Sequence, residues 1–317
     1  MNPESIMVSI CCTTYNHENY IEKALDGFLM QKTTFNIEII VHDDASTDST
    51  QTIIKKYQDA HPGLINPILQ KVNQFSQGIK PSPNFVWPKA RGKYIALCEA
   101  DDYWVDEYKL QKQVDALEAN DQYAISFHDT QIIDQDDVLI ESSKLKQARR
   151  KEHISQSRLI RGILLPTLTV VFRRDLLVRL GDLNTATKDI INVDRLVFSL
   201  LGQFGGAHFA ENVIPANYRR HSGGIWSGKQ MIAKKRNLVE TTLRIYELID
   251  PKFKLIVADE LFLRRLQLAR EYIKVKSYNE CIINYKLALS DFAFRINFVL
   301  NLVLESLKMI YTFLFRR

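Results

Sequence analysis

The stretch YIALCEADDYW, residues 94 to 104, runs apolar for five residues and then places Glu99, Asp101 and Asp102 within four positions. A second apolar run, EIIVHDD, ends the same way in Asp43 and Asp44. Carboxylates at a strand tip either face water in a turn or share a divalent cation. Hard cations such as Mg2+ and Mn2+ take oxygen ligands and are commonly completed by a substrate's phosphates. Two acidic tips on one sheet edge repel each other unless a cation balances them. A metal held there would neutralise a diphosphate leaving group.

The elements needed to place those tips follow from the pattern. MVSICCTTY (7 to 15) reads as a buried strand, and ENYIEKALDGFLMQ (18 to 31) sets Ile21, Leu25, Phe28 and Leu29 at helical spacing. FNIEIIVHDDAS (35 to 46) is a strand, and TDSTQTIIKKYQDAHPG (47 to 63) is a helix with polar caps and a Pro-Gly stop. INPILQ (65 to 70) is strand-like, a Gly, Pro and Ser-rich loop covers 73 to 85, and the strand at 94 precedes a helix over 106 to 121. QYAISFHDT (122 to 130) is a further strand. Alternating strands and helices predict an α/β fold with parallel pairing and helices on the sheet faces. Ligands bind such sheets at the carboxyl ends of the strands, where Asp43, Asp44, Glu99, Asp101 and Asp102 fall.

Beyond the sheet the reading is coarser. Residues 131 to 158 are polar and irregular, either a lid or a solvated excursion. A strand and helix are expected over 164 to 181, a helix with a Gly-rich stop leading toward a strand over 189 to 210, and a basic, Gly-containing loop over 214 to 228. From 229 the pattern is helical, so the expected domains are 1–228 and a helical region 229–317. Residues 263 to 290 resemble one helical hairpin of the tetratricopeptide type, which cannot bury its face alone. Across 291 to 317, Asn297, Asn301, Glu305, Lys308 and Thr312 form a narrow polar stripe on an otherwise apolar helix ending in Arg316 and Arg317. Such a helix either lies in a membrane interface or packs on its own domain or a second subunit.

Composition sets outer bounds. The chain has 317 residues, 46% of them hydrophobic, and a formal net charge of +5 with basic residues dispersed, so no nucleic-acid footprint is indicated. Cys11, Cys12, Cys98 and Cys281 show no metal-ligand spacing and read as reduced core residues. The amino terminus lacks a basic segment followed by an apolar one, and a cytoplasmic location, with peripheral membrane contact, is expected.

CCTTYNHENYIEKALDGFLMQ, EIIVHDDASTDST and GKYIALCEADDYWVDEYKLQKQVDALE, in that order, resemble the successive signatures of family 2 glycosyltransferases with the GT-A fold, a Rossmann-like mixed sheet flanked by helices. The later YRRHSGG resembles that family's loop near the sugar diphosphate. The resemblance implies an inverting transfer of a sugar from a nucleotide donor, UDP-linked, to a saccharide or lipid-linked acceptor in cell-surface polysaccharide biosynthesis, with Mn2+ or Mg2+ as cofactor. It places Thr14, Tyr15, Asn16 and Glu18 at the nucleotide, and Asp44 on its uracil or ribose side. Glu99 and Asp101 match the metal-binding DxD position, with Asp101 the principal ligand and Asp102 supporting the donor sugar or acceptor. Glu replaces the first Asp of that motif. In KDIINVDRLVF, Asp194 matches the general base that deprotonates the acceptor, its alternative being an exposed acid at a helix start. Arg219, Arg220 and His221 either bind the diphosphate or form a basic surface loop, and His221 is a further candidate for the metal shell. A nucleotidyltransferase and a non-catalytic nucleotide-sugar-binding scaffold are the rival functions. The first would need a Gly-rich loop after the first strand, which CCTTYNHEN lacks.

Overall fold

The computed structural model describes residues 5–145, 151–221, 223, 230–290, 303–309 and 311. The first strand, β1 (Ile6–Thr14), is central because its side chains are apolar or small and those from Val8 to Cys12 are all buried. It pairs in parallel with β2 (Asn36–Asp43) on one side and β4 (Tyr94–Leu97) on the other, and β3 (Ile65–Leu69) extends the sheet beyond β2. β8 (Val171–Arg173) then pairs antiparallel with both β4 and β5 (Tyr123–Phe127), and β9 (Gly206–Phe209) closes the far edge in parallel with β5. The order β3-β2-β1-β4-β8-β5-β9 is therefore a mixed sheet, as the sequence predicts.

Helices α1 (Ile21–Leu29), α2 (Thr50–Ala60) and α3 (Lys109–Glu118) cover this sheet. α1 buries Ile21, Ala24, Leu25 and Phe28, the face set by its helical spacing, and α3 buries Leu110, Val114 and Leu117. Gly27 of α1 lies against the backbone of Trp104, where an added Cβ would fall 2.9 Å from the carbonyl oxygen. The three cysteines nearest the sheet, Cys11, Cys12 and Cys98, are free and buried.

Two regions read as irregular are ordered as strands. β6 (Thr130–Ile133) lies between β7 (Leu139–Glu141) and β10 (Ala216–Arg219) in a second, three-stranded sheet. β10 runs parallel to β6, and β7 antiparallel to it. These strands are short and half polar, which hides the two-residue alternation that reveals longer ones.

The chain forms two compact units. The first comprises Met1–Leu159, Leu164–Asp189 and Phe204–Ser222, and holds both sheets. It also holds the short helices α5 (Asp175–Leu180) and α6 (Leu183–Thr187), while α4 (Gln156–Ile160) ends at the unit boundary. The second comprises Ile160–Ile163, Ile190–Gln203 and Gly223–Arg317. Its helices include α7 (Val193–Leu201), α8 (Met231–Leu248), α9 (Lys254–Lys274) and α10 (Tyr278–Ser290). Phe262, Leu266, Ala269, Ala288 and Met309 form a core there, so the helical hairpin is covered in part by the segment 303–309. The polar stripe read over 297 to 312 otherwise lies largely outside the described residues. Among the described residues, no helix is long and apolar enough to cross a membrane.

Candidate metal and donor site

β1 and β2 are in register to their ends, Thr14 opposite Asp43, so the loops that follow leave the sheet side by side. Hydrogen bonds brace these loops together. Asn16, in the left-handed region at φ 55°, accepts the Thr47 N–H through Oδ1 at 2.8 Å, and its own N–H donates to Ser46 Oγ at 2.8 Å. Glu18 Oε2 accepts the Ser49 N–H at 2.9 Å, and its N–H donates to Asp48 Oδ2 at 3.0 Å. Asp44 is buried, and its two oxygens accept the N–H groups of Gln74 (2.8 Å) and Phe75 (3.0 Å), which anchors the loop after β3. Thr14 is buried with an unpartnered Oγ1, while Tyr15 is exposed.

The acids after β4 are held beside the end of β1. Cys98 N–H donates to Cys11 O at 3.3 Å and Ala100 N–H to Thr13 O at 3.2 Å, so the parallel ladder continues past the strand. β10 then seals the turn from the other side. Asn217 and Tyr103 exchange backbone hydrogen bonds, and the Arg219 N–H donates to Asp102 Oδ1 at 2.8 Å.

Three side chains far apart in sequence meet at this turn. His17, Asp101 and His221 each offer a ligand atom, all within 4.8 Å of one another. His221 Nε2 lies 3.0 Å from Asp101 Oδ2. The His17 and His221 rings meet edge to face with centroids 6.0 Å apart, and His17 Nδ1 is buried without a hydrogen-bond partner. A buried imidazole with an unpartnered nitrogen, grouped with a carboxylate and a second imidazole, fits a cation. Two imidazoles with one carboxylate suit a first-row transition ion such as Mn2+ better than Mg2+, which prefers oxygen and water. Sequence reading singled out Asp101 and His221 but passed over His17, whose one signal was its place in the loop after β1. Among the described residues Glu99 lies outside this group, although it follows the same strand.

The two adjacent aspartates are pushed apart electrostatically. Burial raises the Asp101 carboxyl, but the His221 hydrogen bond and the nearby His17 outweigh it and hold the group below its ordinary range. Asp102 is pushed well up by burial and by the charges of Asp101 and Glu99. Burial lowers His17 against the pull of Asp101, which favours the neutral imidazole that coordinates a metal.

The remaining sequence candidates are placed differently. The Arg219 guanidinium is sealed inside the protein, its side chain 1% exposed, whereas that of Arg220 is 52% exposed and lies 3.8 Å from Glu141. Asp194 stands in the first turn of α7, in the second unit, where its Oδ1 accepts the Arg195 N–H at 2.7 Å.

A mixed sheet flanked by helices is the GT-A arrangement. The mannosyltransferase PcManGT of Pyrobaculum calidifontis, solved with GDP-Man and Mn2+, superposes with a TM-score of 0.60 at 18% identity, covering 98% of this chain and 82% of its own. The chain belongs to glycosyl transferase family 2, whose model matches residues 9–179. An uncharacterised protein of Mycobacterium tuberculosis is 35% identical over 219 residues, 69% of this chain and 60% of that protein, so the match spans less than two thirds of the relative. The Escherichia coli enzyme WfaP, named a UDP-Glc:α-D-GlcNAc-diphosphoundecaprenol β-1,3-glucosyltransferase, is 37% identical over 112 residues, 35% of this chain and 41% of its own.

Proposed function

We propose that the chain is a metal-dependent, inverting glycosyltransferase that moves a sugar from a UDP-linked donor to a saccharide or lipid-linked acceptor in cell-surface polysaccharide biosynthesis, at the cytoplasmic face of a membrane. The observation that carries this reading is the convergence of His17, Asp101 and His221 at the strand tips. The donor and acceptor classes are supported by the name of WfaP, and the metal by the Mn2+ bound to PcManGT.

In this reading Asp101, His17 and His221 hold the cation. When bound, it neutralises charge on the departing diphosphate. Thr14 and Tyr15 line the base, and the loop that Asp44 anchors walls the nucleotide pocket. Asp102, beside the ligand Asp101, supports the donor sugar or acceptor. Asp194 accepts the proton of the acceptor hydroxyl as that oxygen attacks the anomeric carbon opposite the leaving UDP, and one displacement inverts the centre.

The test is calorimetric titration of UDP with and without Mn2+, on the native chain and on Asp101→Ala. Metal-dependent binding that the substitution abolishes is expected, and metal-independent or absent binding overturns the reading. Asp194→Asn should bind UDP normally while turnover falls by about 10²- to 10⁴-fold, the usual contribution of a general base.

A further inference from the structure

We propose that the buried Arg219 and the half-buried Asp137 form a positioning pair that holds Asp101 in its ligand geometry and so sets how tightly the divalent cation binds. The inference rests on the metal reading above and assigns Arg219 a role away from the diphosphate. Its guanidinium has few hydrogens left for a ligand. Nε donates to Asp101 O at 2.9 Å, Nη1 donates to Asp134 O at 3.0 Å and Gln135 O at 3.2 Å, and Nη2 donates to Asp137 Oδ1 at 2.8 Å. Four of its roughly five N–H groups are thereby used inside the protein. One face of the group covers the Tyr20 ring, 4.6 Å from its centroid. With its backbone N–H on Asp102, Arg219 grips both acceptors on either side of the Asp101–Asp102 peptide.

Asp137 is where the grip is anchored. It occupies the turn between β6 and β7 at φ 65°, and its carboxylate also accepts from Tyr103 Oη at 3.1 Å and from Lys23 Nζ. One carboxylate therefore joins α1, the segment after β4, the β6–β7 turn and β10. Removing the Asp137 charge leaves a buried guanidinium held by neutral backbone carbonyls alone, which loosens its hold on Asp101 O. The Asp101 carboxylate is placed by its own peptide, and that peptide's carbonyl is held by the Arg219 Nε. Partners of this kind, one contact removed from a metal ligand, typically govern cation affinity by about 10- to 100-fold.

The experiment is titration of Mn2+ into the full chain without nucleotide, following free Mn2+ by electron paramagnetic resonance. Asp137→Asn is the first variant, because asparagine tolerates the left-handed backbone as aspartate does. Tyr103→Phe is the second, since it removes one hydrogen bond to Asp137 and changes no charge. Circular dichroism melting verifies that each variant is folded. The expected result is a Kd for Mn2+ raised about 10-fold or more in Asp137→Asn. A smaller rise is expected in Tyr103→Phe, which separates positioning from loss of a neighbouring negative charge. Donor KM should rise in both, with kcat recovering at saturating Mn2+. Native affinity in folded Asp137→Asn overturns the inference and leaves the metal reading standing. Should Asp137→Asn fail to fold, native affinity in Tyr103→Phe overturns it. A native chain that binds no Mn2+ overturns the metal reading and this inference with it.

Discussion

His221 Nε2 and Asp101 Oδ2 lie 3.0 Å apart although 120 positions separate them in the chain. The contact forms because β10 seals the turn after β4 through Tyr103 and Asn217, carrying the residues after Arg219 back over the strand tips. His17 reaches the same point from the loop after β1, which is pinned to the loop after β2 by Asn16 and Glu18. The candidate site is thus assembled from three separate loops, each fixed by hydrogen bonds that do not involve the ligand atoms themselves.

His17 tests that assembly most sharply, because its Nδ1 is buried with no partner in the protein. His17→Gln should raise the Mn2+ Kd by about 10-fold or more, at least the loss that follows when a mere supporting contact is removed, while the melting temperature stays near the native value. Leaving a polar atom unsatisfied destabilises a folded chain, so removing an orphan should not. A His17→Gln variant with native Mn2+ affinity would reduce His17 to a wall of the site.

Asp44 makes a separate prediction about the nucleotide pocket. Both of its oxygens are used on the N–H groups of Gln74 and Phe75, ahead of the short 3₁₀ turn Phe75–Gln77. The arrangement works as a helix cap does, and Asp44→Ala should lower stability by about 0.5–2 kcal/mol in urea unfolding. The loop it anchors should then loosen, raising the donor KM more than it lowers kcat. An unchanged KM would place that loop away from the donor.

The long strands and their tips were readable because burial on both faces of a parallel sheet leaves unbroken apolar runs, as in β1 and β2. β6, β7 and β10 were not, since TQII, LIE and ANYR are too short and too mixed to show a period. That omission concealed the surroundings of Arg219, whose guanidinium is held in part by the β6–β7 turn. Arginine beside a phosphate and arginine inside a backbone clamp are the same letter in a sequence. His17 went unread for a related reason: ligands at positions 17, 101 and 221 have no spacing to recognise, and only the fold brings them together.

Lys109 offers a prediction outside the candidate site, and its sign can be worked out. It opens α3 fully buried, its Nζ without a hydrogen-bond partner and 3.9 Å from the centroid of the Trp104 ring. Burial lowers the ammonium from 10.5 to about 7, against the opposing pull of Cys98 and Asp106. Between about pH 7 and 10.5 the unfolded chain therefore binds more protons at this position than the folded one, and stability rises with pH across that window. Below about pH 7 both states are protonated and the full cost of the buried charge is present. Lys109→Met removes that charge at similar side-chain length, so the variant should be the more stable protein near neutral pH, by on the order of a few kcal/mol. The Trp104 face stabilises the ammonium and takes back part of the gain. Urea unfolding of both proteins at about pH 6, 8 and 10 checks this, since titrating groups away from Lys109 cancel in the difference. The gap should be widest at the lowest pH and narrow steadily toward the highest. A gap that stays constant would mean that the ammonium keeps its proton when the chain folds, with Trp104 and Asp106 together offsetting its burial.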